Sequence, residues 1–474
     1  GVHMKRKLIR TTILITVIFI SAALAGCYFV PEGETGSITV DLGSAAGSRS
    51  LSEDADAARV YLLSDNGAVF DFGGGALYAE GTVGGEITVE NVPAEKWNVL
   101  VTAGKTTDGG VFIPTNYGET GMIEVTPGVN NPHTITMQPV PFTWAENLAG
   151  EALNGVVTFG TDIYASSSGL YSGTGMDNMS AFSFPTGYTI NSISEGQWFG
   201  GTSELWVNTD KGIVPYRSGW VENFQSAADP AFGVWKSGSY YDAGVADVTV
   251  FFRSNNGFGG VNIPTAGTPV ADYDWENYTD FDEALTGELI YDFFLQDGYT
   301  YFASALGAFR ISSDIVETPD GDFFAQADFF EVVQGEGADA ETLPVNGVGY
   351  LPVGLEDQIV MATDGGVFFA NLDDLGGETL TVTGITETLG EAFSKVAVTG
   401  NAAEARAAAV TATRLYLLKF TAGPPVSIEV KSYGFHAGYP GGVEMLQWTG
   451  DNRLLIAGSG SGLGTAGLVS LSGW

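Results

Sequence analysis

One thiol, three imidazoles and 56 carboxylates are the groups with which this 474-residue chain could do covalent, metal or proton-transfer chemistry. The thiol belongs to Cys27 and is the strongest nucleophile of the set near neutral pH. It follows the small residues Ala25 and Gly26, which suit a narrow peptidase cleft, and with no second cysteine it can form no disulfide within the chain. Of the imidazoles, His3 precedes that point, while His133 and His436 stand far apart and in no triad pattern. Serine-type acyl transfer and a histidine zinc site are both unsupported. The carboxylates are so abundant that no pair suited to glycoside hydrolysis stands out. Asp272-Tyr273-Asp274-Trp275-Glu276 and Asp280-Phe281-Asp282-Glu283 alternate acids as a calcium loop would, but lack its Gly and closing Glu, so solvated loops are expected. No glycine loop with a phosphate-binding lysine occurs. No catalytic residue, metal ligand or cofactor is assigned.

The elements that would have to position any such group are strands. Nineteen Lys and Arg against 56 Asp and Glu give a formal charge of −37, which excludes a nucleic-acid binder, because affinity for a polyphosphate comes from cations displacing counterions. A hydrophobic share of 44% with 12% aromatics is enough for packed cores, so the acidity is that of a folded protein. With 66 Gly, 29 Phe and 19 Tyr, and only 16% charged residues, the composition describes a turn-rich all-β chain. The length predicts two or three domains.

Residues 1–26 read as a secretory signal, with Met4 as the start and Gly1 to His3 set aside. Lys5, Arg6, Lys7 and Arg10 precede the apolar run Thr11 to Leu24, which is shorter than the roughly 20 residues an anchor helix needs. Leu24-Ala25-Gly26-Cys27 resembles the lipobox of bacterial lipoproteins. The resemblance implies a diacyl thioether on Cys27, cleavage before it, and acylation of the new amino terminus by a chain such as palmitate. Removing residues 1–26, with four basic and no acidic residues, leaves −41, so lipid on Cys27 and not charge would hold the body at a membrane. Tyr28 stands where inner-membrane retention would place Asp, which favours the outer membrane. Residues 27–35 are expected to be a tether.

Residues 36–137 alternate apolar and polar positions in Ile38–Val40, Ala58–Leu63, Ile87–Val89, Trp97–Val101, Met122–Val125 and His133–Met137, divided by turns such as Asp65-Asn66-Gly67 and Pro127-Gly128. Two packed antiparallel sheets follow, a β-sandwich of immunoglobulin or transthyretin type. The stretch from Ile87 through Pro93 to Val101 resembles the carboxypeptidase regulatory-like modules, with Glu95-Lys96-Trp97 in place of their usual Gly-Lys/Thr-Tyr. Such domains are accessory modules of secreted proteins.

Residues 138–474 repeat an apolar strand, a polar turn with Gly, and a second apolar strand. The clearest copies are Leu205-Trp206-Val207-Asn208-Thr209-Asp210-Lys211-Gly212-Ile213-Val214 and Ile359-Val360-Met361-Ala362-Thr363-Asp364-Gly365-Gly366-Val367-Phe368. Reference positions Tyr164, Trp206, Thr249, Thr300, Val360, Leu415 and Leu455 are spaced 42, 43, 51, 60, 55 and 40 residues apart. Seven units of this period predict a seven-bladed β-propeller. The two clear copies resemble the sensor-type propeller repeats of two-component regulators; the other five depart from that pattern. Asp210 and Asp364 are expected to close hairpins. The run Ala402 to Ala409 is helical by composition or an irregular blade strand. A sialidase-like site would need a Ser-x-Asp-x-Gly-x-x-Trp turn and an arginine cluster, which Asn208 to Tyr216 and the few arginines do not supply. The last unit, Val443–Gln447, Arg453–Ala457 and Gly467–Leu471, is one strand short, so the missing strand is predicted from Val140 to Trp144, beside Gly467–Leu471. Acidic, aromatic insertions at Asp272–Glu283 and Thr318–Pro344 are candidate recognition loops.

The expectation is therefore an all-β protein, an N-terminal β-sandwich followed by a seven-bladed β-propeller. It is expected to be a monomeric, non-enzymatic binding or scaffolding lipoprotein of the bacterial cell envelope, anchored through Cys27. Its partner is expected to be a protein or glycan met at the propeller's loop-bearing face and channel mouth, with no individual binding residue assigned. The alternatives are a polysaccharide-acting enzyme with two inward carboxylates on neighbouring blades, and an extracytoplasmic ligand sensor with a deep aromatic pocket. Asp, Glu, Arg and Tyr converging in the channel would favour the enzyme; a lining of Val, Ala and Gly would count against it.

Overall fold

The computed structural model describes residues 35–42, 55–64, 70, 72, 78–106, 112–140, 143–221, 233–242, 244, 246–254, 257–268, 274–277, 290–296, 298–312, 328–330, 332–334, 341–353, 358–372, 382–412, 414–423, 426–434, 442–450, 452–459 and 467–472. Cys27, the signal and most of the tether lie outside the described residues, as do His436 and most of both insertions.

The N-terminal unit is a two-sheet sandwich. Its smaller sheet places Thr35–Asp41 between Glu86–Pro93 and Asn130–Thr134. The larger is built on Ala57–Ser64 paired with Lys96–Thr106 and extended by Phe112–Glu119. Alternate residues of both sheets, among them Ile38, Val40, Val60, Leu62, Val89 and Val99, share one core. One pairing corrects the antiparallel expectation: Thr35–Asp41 runs parallel to Asn130–Thr134. Parallel neighbours need a long crossover, and the chain between these two strands, which builds most of the larger sheet, provides it.

Besides one two-stranded sheet, Val333–Gln334 with Glu341–Thr342, the remaining strands form seven sheets arranged as blades. Their innermost strands, Gly155–Phe159, Ile190–Trp198, Val234–Asp242, Ile290–Gln296, Val345–Leu351, Lys395–Gly400 and Val443–Trp448, each pack on the next, and the last packs on the first. The second strand of each blade is covered on both faces by neighbouring blades, so it is buried along nearly its whole length and not in alternation. Every residue of Gln358–Thr363 is buried, and so are the six from Glu204 to Thr209 in the equivalent strand of the second blade. This is why the repeat was strongest there.

The sixth blade shifts one reference position. Leu415 lies on its third strand, Arg414–Thr421, and the second strand is Glu404–Val410. The alanine run is therefore largely a blade strand. With Ala407 as the reference the spacings become 47 and 48, which evens the period. Its small side chains hid the strand, since Ala carries little of the β-branched or aromatic signal.

The hairpins between second and third strands follow one local rule. Thr209 Oγ1 donates to the Gly212 carbonyl at 2.9 Å and accepts from the Lys211 amide at 3.1 Å, while Gly212 adopts φ 117°. Thr363 repeats this with Gly366 at 2.9 Å and the Gly365 amide at 3.1 Å. The hydroxyl closes the turn and glycine takes the left-handed conformation. The aspartates act one step further out: Asp210 Oδ1 accepts from the Thr189 amide at 2.7 Å, and Asp364 Oδ1 from Asn346 Nδ2 at 2.7 Å.

The last blade is completed by Thr143–Asn147, which pairs antiparallel with Gly467–Ser472 in the register Trp144↔Leu471 and Asn147↔Leu468. The closing strand is the one required by the deficit in the last unit, displaced toward Asn147. The sandwich packs against the neighbouring edge of the ring. Tyr61, Leu63 and Leu100 share a core with Leu415, Leu417, Trp448 and Leu471, and Arg414 Nη2 reaches Glu119 Oε2 at 2.5 Å.

Ala145 and Ser470 stand directly opposite, at a spacing a disulfide can bridge. In a Cys27→Ser background, Ala145→Cys with Ser470→Cys should oxidise readily and raise the unfolding free energy by about 2–4 kcal/mol, read by guanidinium titration with and without reductant. Two thiols that stay free under mild oxidant would contradict the closure.

Candidate functional site

At one end of the axial channel every blade offers an equivalent position: the residue after a mostly buried apolar one where the innermost strand begins. In five blades that residue is the extra one of a β-bulge, Asn191, Trp235, Tyr291, Asn346 and Glu444, skipped in the register with the second strand. In the other two, Asn154 and Ser394 directly precede the strand and bond to the Ser166 and Val410 carbonyls at 2.9 Å each. A bulge turns a side chain out of the ladder, and here it turns five of the seven toward the mouth.

Three of the seven are tied into the ring. The side-chain amides of Asn154, Asn191 and Asn346 donate to the carbonyls of Ile190, Val234 and Phe393 at 3.0, 2.9 and 2.8 Å. Each acceptor is the apolar residue before the next blade's mouth position, so the asparagines bind the first, second and fifth blades to their successors. Close approach of the strands lower in the channel assists this: a Cβ on Gly349 would meet Val398 Cγ2 at 2.6 Å.

The other four positions carry no such tie. Trp235 is 52% exposed, an unusual state for so large an apolar ring. Trp235, Tyr291 and Glu444 line an axial cavity of about 840 Å³ that contacts all seven innermost strands or their first residues. Tyr291, Glu444, Arg253 and Lys395 continue into an adjoining hollow of about 740 Å³, which reaches Asn346, Asp364 and Ser394.

Three cations enter this space in a chain poor in them. Lys236 pairs with Asp292 across the third and fourth blades. Arg253 Nη1 donates to the Tyr291 carbonyl at 3.2 Å, fixing the backbone of that bulge where the blade has no asparagine tie. Burial draws the Arg253 guanidinium below its ordinary value, opposed by the charge of Asp292. Lys395 makes no ion pair among the described residues. Val348, Val396 and Val398 line the deeper wall. The channel is thus polar and aromatic at the mouth and aliphatic on one side below.

The carboxyl group that burial pushes up, Glu204, is elsewhere. It lies 2% exposed in the second blade and accepts from Trp206 Nε1 at 3.2 Å and from Arg217, whose guanidinium covers the Trp198 ring at 3.8 Å. It lines neither cavity. His133 sits on an edge strand of the smaller sandwich sheet, remote in sequence and fold from the channel. Among the described residues no three His, Cys, Asp or Glu side chains gather as a metal site would require, and no helix is long and apolar enough to cross a membrane. Asp274–Asn277 forms the outer strand of the third blade, and the rest of its acidic stretch lies outside the described residues. The mouth positions were not anticipated from the sequence, although Leu153-Asn154, Ile190-Asn191 and Val345-Asn346 repeat an apolar–Asn step that marks them.

No protein-family model and no curated protein matches the chain. Among solved structures, the chain is similar to the extracellular domain described as a one-component system of B. thetaiotaomicron, at 15% identity over 70% of this chain and TM-score 0.46; it spans about 40% of that chain's length. It is similar to YCF48 of Cyanidioschyzon merolae, at 9% identity over 69% of this chain and 98% of that one, TM-score 0.46. A third is the β-propeller domain of Cps50 from Myceliophteria thermophila, at 9% identity over 70% and 100%, TM-score 0.42.

The two kinds of mouth residue should separate in stability. Asn191→Ala leaves the buried Val234 carbonyl without its donor and should cost about 1–2 kcal/mol, whereas Trp235→Ala should change urea unfolding by less than about 0.5 kcal/mol. Equal losses would show that Trp235 is a packing residue.

Proposed function

We propose that this is a binding protein of the bacterial cell envelope, held by lipid on Cys27, which receives its partner at the channel mouth of the propeller and performs no catalysis. The observation that carries this is the division of the mouth ring. Asparagine ties the ring where it occurs, and at Trp235 and Tyr291 the same backbone device presents aromatic side chains to a concave space. Aromatic side chains in a cavity with a few polar groups are the ordinary composition of a recognition site.

A polysaccharide-cleaving enzyme is supported less well. It needs one carboxylic acid held protonated and a second carboxylate free to act. Asp292 is neutralised by Lys236, Asp364 accepts from Asn346, and Glu204, raised by burial, faces Arg217 away from the channel. The lipid anchor rests on Leu24-Ala25-Gly26-Cys27. Outer-membrane placement rests on Tyr28 alone.

Two measurements test this. In cells, Cys27→Ala should move the protein from the membrane to the soluble extracytoplasmic fraction; unchanged sedimentation with membranes would refute the anchor. The detergent-solubilised full chain, immobilised, should retain a component of envelope extract, and Trp235→Ala should lower that retention about tenfold, the loss expected for an aromatic hot spot. Retention indifferent to Trp235→Ala would refute the mouth as the site.

A further inference from the structure

The mouth also specifies a chemical class of ligand, an inference that rests on the channel mouth being the binding surface. We infer that the mouth binds an uncharged oligosaccharide, with one pyranose ring laid on the indole of Trp235.

The state of that indole sets it apart. Trp97, Trp206, Trp220 and Trp448 each donate the ring N–H to a protein oxygen, at 3.0, 3.2, 2.8 and 3.1 Å. Trp235 is 52% exposed, and among the described residues its ring has neither an acceptor for that N–H nor an aromatic partner. Its backbone, by contrast, is clamped on both sides. Asn191 Nδ2 donates to the Val234 carbonyl at 2.9 Å, Ser192 Oγ donates to the carbonyl of Trp235 itself at 2.5 Å, and Lys236 is held by Asp292. At the next mouth position the Tyr291 carbonyl is fixed in the same way by Arg253 Nη1. A bare aromatic ring on a fixed backbone leaves little ordering to be done when a ligand arrives.

The charges of the lining select among the ligands that such a ring could cover. Lys236, Arg253 and Lys395 share the two hollows with Asp292, Asp364 and Glu444, so the formal charges there sum to zero. Most are already engaged: Lys236 and Asp292 with each other, Arg253 with the Tyr291 carbonyl, Asp364 with Asn346, and Glu444 with Ser459. Holding a desolvated ligand charge needs an excess of the opposite sign, and this lining has none. A neutral pyranose requires none. It presents a face of C–H groups, which an indole covers, and a rim of hydroxyls, which the free indole N–H and amides such as Gln447 can answer. A proline-rich peptide also stacks on aromatic rings, but it docks along an open aromatic-lined groove. Trp235 stands instead in a closed ring of seven strands, beside amides, hydroxyls and paired charges. A lipid would gain more from a larger apolar patch.

Calorimetric titration of the detergent-solubilised full chain with neutral hexasaccharides of glucose, mannose, galactose and xylose, with hexameric uronates and with hexaproline tests the inference. At least one neutral hexasaccharide should bind and shift the tryptophan emission. Its affinity should change by less than about twofold between about 0.05 and 0.5 M salt, because no charges pair on binding. Trp235→Ala should lower that affinity about tenfold, and Trp235→Phe, which keeps a ring to stack on, should restore most of the loss. A uronate or hexaproline binding as tightly as the best neutral sugar, or sugar binding indifferent to Trp235→Ala, would overturn the inference. So would failure of all four neutral sugars to bind; if Trp235-dependent retention of an envelope component persisted in that case, the ligand class would fall while the mouth remained the site.

Discussion

Seven twisted sheets can cover both faces of every blade only if the first and last are neighbours, and that adjacency depends on the strand Thr143–Asn147 lying in the last sheet. Without it the ring would expose the edge of Gly467–Ser472 and part the first and seventh blades, which share a core built from Leu153, Val156, Ala165, Leu455 and Leu468. The strand follows directly on the sandwich, whose last pairing, Gln138–Pro139 with Asn116 and Tyr117, ends just before it. Closure therefore fixes the sandwich at the ring's seam. The shared core from Tyr61 and Leu63 to Trp448 and Leu471 is the packing consequence.

Within the closed ring, the inner strands have two tasks that compete for the same residues. Neighbouring blades must be joined where their strands begin, and under the proposed function the mouth must be available to a partner. The molecule separates these tasks by blade. Asn154, Asn191 and Asn346 join. Between the third and fourth blades Arg253 takes over the joining from the second strand, bonding the Tyr291 carbonyl, and the mouth positions there are released to aromatic side chains. Each hydrogen bond contributes about 1 kcal/mol, so the arrangement costs little stability and places Trp235 and Tyr291 on fixed backbone. Rigid placement of this kind is what recognition at a concave site needs.

Much of the fold was legible because burial writes itself into sequence. Second strands covered on both faces run apolar, as in Ile359-Val360-Met361, and Thr-x-x-Gly turns punctuate them. A deficit of one strand at the end of the repeat was enough to place the closing strand. The sixth blade was misplaced by one strand because Ala407, Ala408 and Ala409 fill a tight space with little side chain. The parallel pairing of Thr35–Asp41 with Asn130–Thr134 was missed because a period of two records which face is buried and not the direction of the neighbour. The site was least legible: one polar or aromatic residue per blade, about 37 to 56 residues apart by chain position, has no local signature until five bulges and two strand starts bring the seven together.

The most direct test of the proposal that the mouth is a recognition surface is hydrogen exchange on the full chain, with and without an envelope component captured from extract. Protection should concentrate at residues 190–193, 234–237, 290–293 and 443–446, leaving outer blade strands and the sandwich unchanged. Protection confined to the outer strands or to the sandwich, with these four segments exchanging as before, would contradict it.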